Sequence, residues 1–372
     1  MLKKRILSFL GAAALTAALT FAVVSLSPSN GFTSGSMQEG MSYEVCGVSP
    51  DAIVASLDGN GATADLITYW IGYSASYLNS YMQYYGGGAL DWDYVMSDGT
   101  AMTDYVKNDV LTTVKQELVI ENLAEKYGVT LTDEQKASIE SEEQSFIEQY
   151  GSVEAFEEEL TKLGLRRETY ERITSANYLY QNLYKLYLTE GSALYASNED
   201  LAAYAAAQGY ITADHILLTT VDTATGEALS DEAIAEKKAL AEELAEKLKN
   251  YTGDDLASYF AELADEYSED PGRASNPTGY TFTTGSMVQE FEDAAYALDE
   301  GAVSDIVESK FGYHILLRLP LDKTAAAETV REAYFTNFID EQLEKVTLAT
   351  SEQFDALDAQ ALYEAITAAQ AK

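Results

Sequence analysis

The hydrophobic and polar positions follow a helical period over the first half of the chain. Tyrosines recur at every fourth position from 69 to 85, which places them along one face of a helix, and the glycines at 86–88 end it. Further helices are predicted at residues 103–127, 132–151, 155–163 and 167–188. The third of this series of five begins with a capping box made by Thr132 and Gln135. We therefore predict a helical, all-α unit over residues 51–207.

At Tyr210 the period changes from helical to alternating, and His215 falls within the first predicted strand. From there the pattern predicts the order β-α-α-β-α-β-β, which is typical of an α+β domain with an antiparallel sheet flanked by helices. Residues 322–372 are helical again and too few to fold alone. We expect them to pack on the N-terminal helices, so that the α+β domain at 208–321 is an insertion in a discontinuous helical body.

The N-terminus has the pattern of an export signal. A basic cluster at residues 3–5 is followed by an apolar run over residues 6–26, which is also long enough to span a bilayer. Residues 1–27 are therefore interpreted as a signal peptide or an N-terminal membrane anchor, and residues 28–50 as a linker. We expect the rest of the chain to lie outside the cytoplasm, either secreted or anchored on the outer face of the cytoplasmic membrane.

Composition restricts the partners. With 47% hydrophobic residues the chain is expected to fold, but it has 61 acidic against 23 basic residues and a formal net charge of -38. Such a balance argues against nucleic acid as a partner, because phosphate binding needs clustered Lys and Arg. It also disfavours anionic lipid surfaces, so membrane contact is expected only through the N-terminal segment. Cys46 is the single cysteine, which excludes an intramolecular disulfide.

Two histidines carry the strongest chemical signal. His215 and His314 are the only histidines of the chain, and each begins the tetrapeptide HILL, one on the first and one on the last strand of the α+β domain. Strands at the two ends of a small domain often pair in the centre of its sheet. We therefore predict that the two imidazoles lie near each other on one face and share a site.

The sequences around these histidines resemble the parvulin-type peptidyl-prolyl isomerases. The matching runs are ADHILL, LADEYSED, GSMVQEFEDAAYALDEGAVSDIV and SKFGYHILL, in order and at the family's spacing within residues 208–321. The helical segments more loosely resemble the bodies of extracytoplasmic parvulin foldases, both Gram-positive surface foldases and periplasmic chaperones. The resemblance implies a four-stranded antiparallel sheet flanked by helices and inserted in a chaperone-like body.

The resemblance also implies the site and its chemistry. The polar residues of the family's catalytic site correspond here to His215, Asp270, Ser309 and His314. Met287 and Phe291 correspond to the apolar pocket for the proline ring, and Phe311 lies beside it. The implied activity is cis/trans isomerisation of Xaa-Pro bonds in unfolded or partly folded exported polypeptides, by non-covalent stabilisation of the twisted amide and without cofactor or metal.

The chain departs from the family pattern in two places. Where relatives usually carry a Gly-Gly or Gly-Asp-Leu-Gly run before the second strand, this chain reads SNPTGYTF, with Pro277 and Thr278 in place of flexible residues. That departure bears on activity more than on the fold. The basic cluster that gives some relatives their phosphate specificity is missing after His215, which argues against a phospho-Ser/Thr-Pro preference.

Three other interpretations remain open. Two imidazoles and the Asp270 carboxylate are a donor set that binds Zn or Fe, although the short-range spacing of such sites is missing. The tyrosine-rich helices suit a holdase with a weak or inactive isomerase domain, since Tyr combines a large apolar area with a polar tip. The third interpretation is a surface or adhesion protein with no client.

Overall fold

The computed structural model describes residues 40–85, 88–222 and 225–371. The chain divides into two compact units. The first combines residues up to Tyr195 with those from Thr336 onward, and the second is formed by Ala196–Phe335. The second unit is therefore inserted in the sequence of the first. The signal or anchor predicted at 1–27, and the linker as far as residue 39, lie outside the described residues.

The helices and strands up to residue 195 are α1 (Met41–Cys46), β1 (Ile53–Leu57), β2 (Asn60–Thr63), α2 (Ala64–Tyr84), α3 (Met102–Tyr127), α4 (Asp133–Tyr150), α5 (Val153–Lys162) and α6 (Arg167–Leu188). The next are α7 (Asn198–Ala207), β3 (Ile211–Thr219), α8 (Asp231–Lys249), α9 (Leu256–Tyr267), β4 (Tyr280–Phe282), α10 (Gln289–Ala297), β5 (Val307–Ser309) and β6 (Gly312–Leu319). Helix α11 (Lys323–Lys345) begins in the second unit and ends in the first, and β7 (Ala349–Thr350), α12 (Glu352–Ala356) and α13 (Ala359–Gln370) follow.

A local cap and a close tertiary contact help to define the helices of the first unit. The Thr132 hydroxyl accepts from the Gln135 N–H and the Gln135 side chain accepts from the Thr132 N–H, so the capping box forms at the start of α4. Helix α2 packs closely on α13 at Gly72, where a Cβ atom would lie 2.6 Å from Ile366 Cδ1. Residues from Thr336 onward are part of the first unit, whereas the start of the predicted C-terminal segment, residues 322–335, belongs to the second unit.

The first unit is not all-α, which corrects the sequence prediction. Strands β1 and β2 form an antiparallel hairpin, and β7 pairs with the other edge of β1, in the order β2-β1-β7. The hairpin turns at Asp58 and Gly59, which have φ values of 50° and 91°. An Asp-Gly pair suits such a turn because both residues tolerate positive φ. The strands are only 5 and 4 residues long, too short for a clear alternating pattern.

Part of the segment interpreted as linker is folded. Residues 41–46 form α1, and Met41 is buried with 1% of its surface exposed. Cys46 at the end of this helix is a half-buried free thiol, and its Sγ accepts a long hydrogen bond of 3.4 Å from the Asp358 N–H. Burial raises the pKa of that thiol above its ordinary value. The apolar residue at 41 explains why this segment packs instead of remaining a linker.

Residues 211–319 of the second unit confirm the predicted α+β class and have the predicted element order β-α-α-β-α-β-β, with α7 before them and the start of α11 after them. The sheet of this unit has four antiparallel strands in the order β4-β3-β6-β5, with β3 and β6 paired in the centre from Thr212 to Thr219. On one face, Ile216 and Ile315 pack in a core with Leu244 of α8 and Phe260 of α9. The other face packs against α10, with a core that includes the residues Ala213, Phe282, Phe291 and Leu316.

Among the residues that the structure describes, no helix combines the length and the apolar character needed to cross a membrane.

Candidate active site

The two histidines lie side by side on the face of the sheet that packs against α10. His215 on β3 is opposite Leu316 of β6, and His314 is opposite Leu217, so the histidines are diagonal neighbours on one face. Their ring centroids are 5.4 Å apart, with 44° between the ring planes. Both rings are buried, with 8% and 3% of their surface exposed. The structure thus brings together the two residues that the repeated tetrapeptide singled out.

Phe291 provides the apolar floor beneath both imidazoles. Its ring centroid lies 5.1 Å from that of His215 and 5.7 Å from that of His314, edge-on in both cases. Met287 is half-buried on the turn just before α10 and packs against the same core. The buried Glu292 carboxylate accepts from the N–H groups of Gly285 and Met287, at 3.0 and 2.8 Å, and so fixes the turn that carries Met287.

Asp270 lies at the edge of the histidine pair. Its Oδ2 is 3.1 Å from His215 Nε2 and accepts a hydrogen bond of 2.5 Å from the Tyr280 hydroxyl, while Oδ1 accepts from the Gly272 N–H at 3.0 Å. Burial raises the pKa of the carboxyl, but the His215 ring, the Tyr280 hydroxyl and the Gly272 N–H outweigh it and hold the pKa below its ordinary value. Asp270 is therefore a carboxylate at neutral pH.

Ser309 and His314 form the other side of the site. The Ser309 hydroxyl and His314 Nε2 are 2.8 Å apart, and the hydroxyl oxygen also accepts from the Phe311 N–H at 3.1 Å. Burial lowers the pKa of the His314 imidazole to about 4, helped by the neighbouring His215 and opposed by Asp270. His314 is therefore neutral at physiological pH, and its side chain is held by a hydroxyl.

Phe311 lies at the margin of the site. It stands on the turn between β5 and β6 with 44% of its surface exposed, and the Lys310 ammonium lies 5.0 Å from its ring centroid. Of the seven residues predicted for the site, it is the one with an open, solvent-facing ring.

Tyr280 is a site residue that the sequence analysis did not single out. It is half-buried on β4, its ring centroid is 5.5 Å from that of His215, and burial together with its hydrogen bond to Asp270 raises its pKa above the ordinary value. Its signal in the sequence was an aromatic residue directly after Gly279, at the point where the family pattern is interrupted.

The described residues contain no group of three His, Cys, Asp or Glu side chains arranged to hold a metal ion. What the site offers is a buried aromatic floor, a neutral imidazole, a carboxylate and two hydroxyls. Such a set can hold a small apolar ring and polarise the groups beside it, without a nucleophile being required.

A comparison with protein families decides the kind of domain. Residues 215–319 match the family described as rotamase, PPIC-type PPIase domain. The second unit is a parvulin-type domain. The resemblance drawn from the histidine motifs is therefore confirmed. The match covers the strands and loops that carry every residue of the site described above.

Part of the chain is similar to bacterial foldases and chaperones. It is 51% identical over 77 residues to the foldase protein PrsA of Geobacillus sp. (strain WCH70), which is 20% of this chain and 27% of that protein. It is 35% identical over 117 residues to the chaperone SurA of Chromohalobacter salexigens, which is 30% of this chain and 25% of that protein. The matched segments thus span about a quarter of these relatives.

Among solved structures, PrsA from Bacillus subtilis is 24% identical, with 67% of this chain and 89% of that chain covered and a TM-score of 0.26. The parvulin NmPin of Nitrosopumilus maritimus is 35% identical, with 30% of this chain and 96% of that chain covered and a TM-score of 0.21.

Proposed function

We propose that the chain is a peptidyl-prolyl cis/trans isomerase that assists the folding of exported proteins. The observation that carries the proposal is the packing of the His215 and His314 rings over Phe291, between the Asp270 carboxylate and the Ser309 hydroxyl. The family match over residues 215–319 supports the same activity.

The chemistry follows from the resonance of the amide. Rotation about a prolyl amide is opposed by a barrier of roughly 20 kcal/mol, because the planar form spreads charge over oxygen and nitrogen. An apolar pocket removes the water that solvates this planar, polarised form. A site that fits the twisted amide binds the transition state more tightly than either planar isomer, and each ~1.4 kcal/mol of that difference gives a tenfold rate increase.

The residues divide into two groups in this mechanism. Met287 and Phe291 hold the proline ring, with Phe311 at the margin contacting the rest of the peptide. The polar group sets the electrostatics around the carbonyl and consists of His215, Asp270, Ser309 and His314. No covalent intermediate is involved, and neither a metal nor a cofactor is required.

The activity is tested by NMR exchange spectroscopy on an Xaa-Pro peptide, with the full chain compared with the His215→Ala/Met287→Ala double variant. The wild-type chain is expected to accelerate exchange between cis and trans peptide, and the double variant is expected to lose most of this acceleration. Glu199→Gln, an exposed change in the same unit, is the matched control. A folded wild-type chain that does not accelerate exchange would refute the isomerase proposal.

We place the protein outside the cytoplasm, as secreted or attached to the membrane through its N-terminal segment. The support is the basic cluster at residues 3–5 with the apolar run after it. Partly folded exported polypeptides with Xaa-Pro bonds are then the substrates. Protease accessibility of the chain on intact cells, with alkaline extraction of membranes, tests both the location and the anchor.

A second candidate function is a holdase activity of the tyrosine-rich first unit. The tyrosine row is divided: Tyr69 is 7% exposed and belongs to the core, whereas Tyr77 and Tyr81 are 41% and 45% exposed. Tyr84 and Tyr85 extend the exposed part, at 83% and 67%. The exposed rings offer apolar area with polar tips to an unfolded chain.

A cleft of about 100 Å³ adjoins this surface and is lined by residues that include Tyr69, Tyr73, Tyr77, Leu163 and Ile366. Aggregation of an unfolded client distinguishes the two functions. A Tyr81→Ser/Tyr84→Ser variant is expected to suppress aggregation less well than the wild type, with unchanged isomerisation of the peptide. Equal suppression by both chains would remove the holdase proposal.

A further inference from the structure

The segment between α9 and β4 closes an open edge of the sheet. Strand β4 pairs only with residues 211–213 of β3, so the rest of that edge has no strand beside it. Ser268 and Glu269 cover it: the Glu269 N–H donates to the Leu217 carbonyl at 2.7 Å, and the Ser268 hydroxyl accepts from the Leu217 N–H at 3.1 Å. The segment that carries Asp270 is therefore tied to the strand that carries His215.

The same segment then reaches both faces of β3. Asp270 turns to the face of the histidines, whereas the Arg273 side chain turns to the opposite face and is buried, with 9% of its surface exposed. There Arg273 Nη1 donates to Asp214 Oδ1 at 2.6 Å, and Arg273 Nε donates to Asp265 Oδ1 at 2.9 Å. The ion pair between Arg273 and Asp214 is buried, because Asp214 is only 4% exposed.

The Arg273–Asp214 ion pair is linked to both His215 and Asp270. Asp214 directly precedes His215, and its Oδ1 also accepts from the His215 N–H at 2.8 Å. Arg273 is linked to Asp270, because the Arg273 N–H donates to the Asp270 carbonyl at 3.2 Å. A charge-assisted pair is stronger and more directional than a neutral hydrogen bond, and it is strongest away from water. It therefore limits how far Asp270 can move from His215.

We propose that Arg273 and Asp214 are positioning residues of the isomerase site: their buried ion pair holds the Asp270 carboxylate against His215 in a chain that lacks the family's glycine-rich run at this point. The inference rests on the proposed function, since it assigns these residues a part in that catalysis. Neither residue touches the proline pocket. They act through the 3.1 Å contact between Asp270 and His215.

The test uses the full chain with Arg273→Gln and Asp214→Asn, each assayed by peptide exchange and by NMR of labelled histidine. Only two histidines are present, so both imidazoles are observed without fragmenting the protein. Because misplaced groups are costly in catalysis, kcat/KM is expected to fall about tenfold or more in Arg273→Gln. The His215 imidazole signals are expected to shift, and the Arg273→Lys variant to recover part of both effects.

Asp265→Asn is the matched control. It removes the negative charge of Asp265, the other carboxylate beside Arg273, and leaves the buried pair intact. The Asp265 side chain is 69% exposed. The kcat/KM and His215 signals of this variant are expected to match the wild type. The Arg273→Gln/Asp214→Asn double variant is expected to lose no more activity than the worse single variant, because each change alone already abolishes the same ion pair.

The outcomes separate the two proposals. Wild-type kcat/KM and wild-type His215 signals in Arg273→Gln would overturn the positioning role. If Arg273→Gln does not fold, Asp214→Asn decides by the same two readouts, since its amide keeps an acceptor for Arg273. A wild-type chain without isomerase activity refutes the proposed function and, with it, the catalytic role assigned here. If the wild-type chain is active and the variant has unchanged His215 signals, only the positioning role is refuted.

Discussion

The environment of each polar residue sets its charge in the site. Asp270 accepts hydrogen bonds and remains ionised, whereas His314 is deeply buried and remains neutral. The site therefore contains a negative oxygen and a neutral imidazole at the same pH. The environment strengthens the ordinary difference between the two side chains, because it lowers the pKa of the Asp270 carboxyl and the pKa of the His314 imidazole.

His314 makes the stability of the second unit dependent on pH. Its pKa falls from 6.5 in the unfolded chain to about 4 in the folded chain, so between these values the unfolded chain binds more protons. As far as this group is concerned, the second unit is most stable above pH 6.5. Its free energy of unfolding falls as the pH drops toward 4, by at most about 1.4 kcal/mol per pH unit. Urea unfolding followed by the histidine NMR signals measures it.

The control for this prediction is His314→Gln, which cannot titrate. Its free energy of unfolding is expected to change less between pH 6.5 and 4 than that of the wild type. Parallel curves for the two chains would show that His314 is not the titrating group.

Tyr280 is expected to support the carboxylate of Asp270. Tyr280→Phe removes one hydrogen bond of 2.5 Å and leaves the ring in place. Because hydrogen bonds to charged groups contribute about 1.5–3 kcal/mol, the variant is expected to raise the pKa of Asp270 and to lower kcat/KM several-fold. Peptide exchange from pH 3 to 7 measures both changes. A Tyr251→Phe variant, remote from the site, should have no effect, and an unchanged profile in Tyr280→Phe would contradict the role.

Most of the helices, the strands of the second unit and their order could be predicted from the sequence because their signals are local, whereas α1 and α7 were not predicted. Caps such as Thr132, end glycines and alternating runs act over a few residues. The β1–β2 hairpin was not predicted, although the Asp58–Gly59 pair is a hairpin signal, because its strands are short and β7 pairs with β1 from the far end of the chain. A contact of that range has no local pattern.

The same distinction holds within the site. His215, His314, Phe291 and Asp270 could be placed from the repeated tetrapeptide and the family motifs. Tyr280 and Arg273 could not, because their roles depend on the path of residues 268–279 over the edge of β3. That path replaces the usual glycine-rich run.

The turn before β4 is held by one glycine. Gly279 has a φ of 90°, and a Cβ atom there would lie 2.8 Å from the Ala213 carbonyl oxygen. Gly279→Ala is expected to cost more than the roughly 1–2 kcal/mol of positive φ alone, because it also pushes the turn from β3, and to lower isomerase activity by moving Tyr280. Thermal unfolding and peptide exchange measure the two effects.

Gly301→Ala serves as the control for this change. Gly301 also has positive φ, at 83°, but has nothing within 4 Å of the added Cβ atom. Gly301→Ala is expected to lose only the stability that positive φ costs an alanine, and to keep full isomerase activity. Equal losses of stability in the two variants would contradict the close approach at Ala213.

For the chain as a whole, the charge of -38 favours solubility and repels other acidic surfaces. Several acidic groups of the described residues are nevertheless buried, and one of them lies on α3. Glu117 on α3 is 4% exposed, and burial raises its pKa to about 8, with Glu121 adding to the effect and Arg172 opposing it. The first unit therefore contains a carboxyl that is protonated at neutral pH.

The raised pKa of Glu117 is expected to make stability depend on pH in the opposite direction to His314. Since its folded pKa is raised from 4.5 to about 8, the first unit is most stable below pH 4.5 as far as this group is concerned, and loses stability as the pH rises toward 8. Glu117→Gln is expected to unfold at higher urea than the wild type at pH 8, with little difference at pH 5. Both tryptophans, Trp70 and Trp92, belong to this unit, so their fluorescence reports its unfolding. A variant no more stable at pH 8 would contradict the prediction.

We propose that the isomerase site of this chain speeds the folding of other proteins. The most direct measurement is the refolding of a protein whose slow phase is limited by one Xaa-Pro isomerisation, with catalytic amounts of the full chain or of the His215→Ala/Met287→Ala variant. We predict that the wild-type chain increases the rate of the slow phase in proportion to the concentration of the chain, and that the double variant leaves the rate of the slow phase unchanged. Equal acceleration by both chains, or none by a folded wild-type chain, would contradict the proposal that this site assists folding.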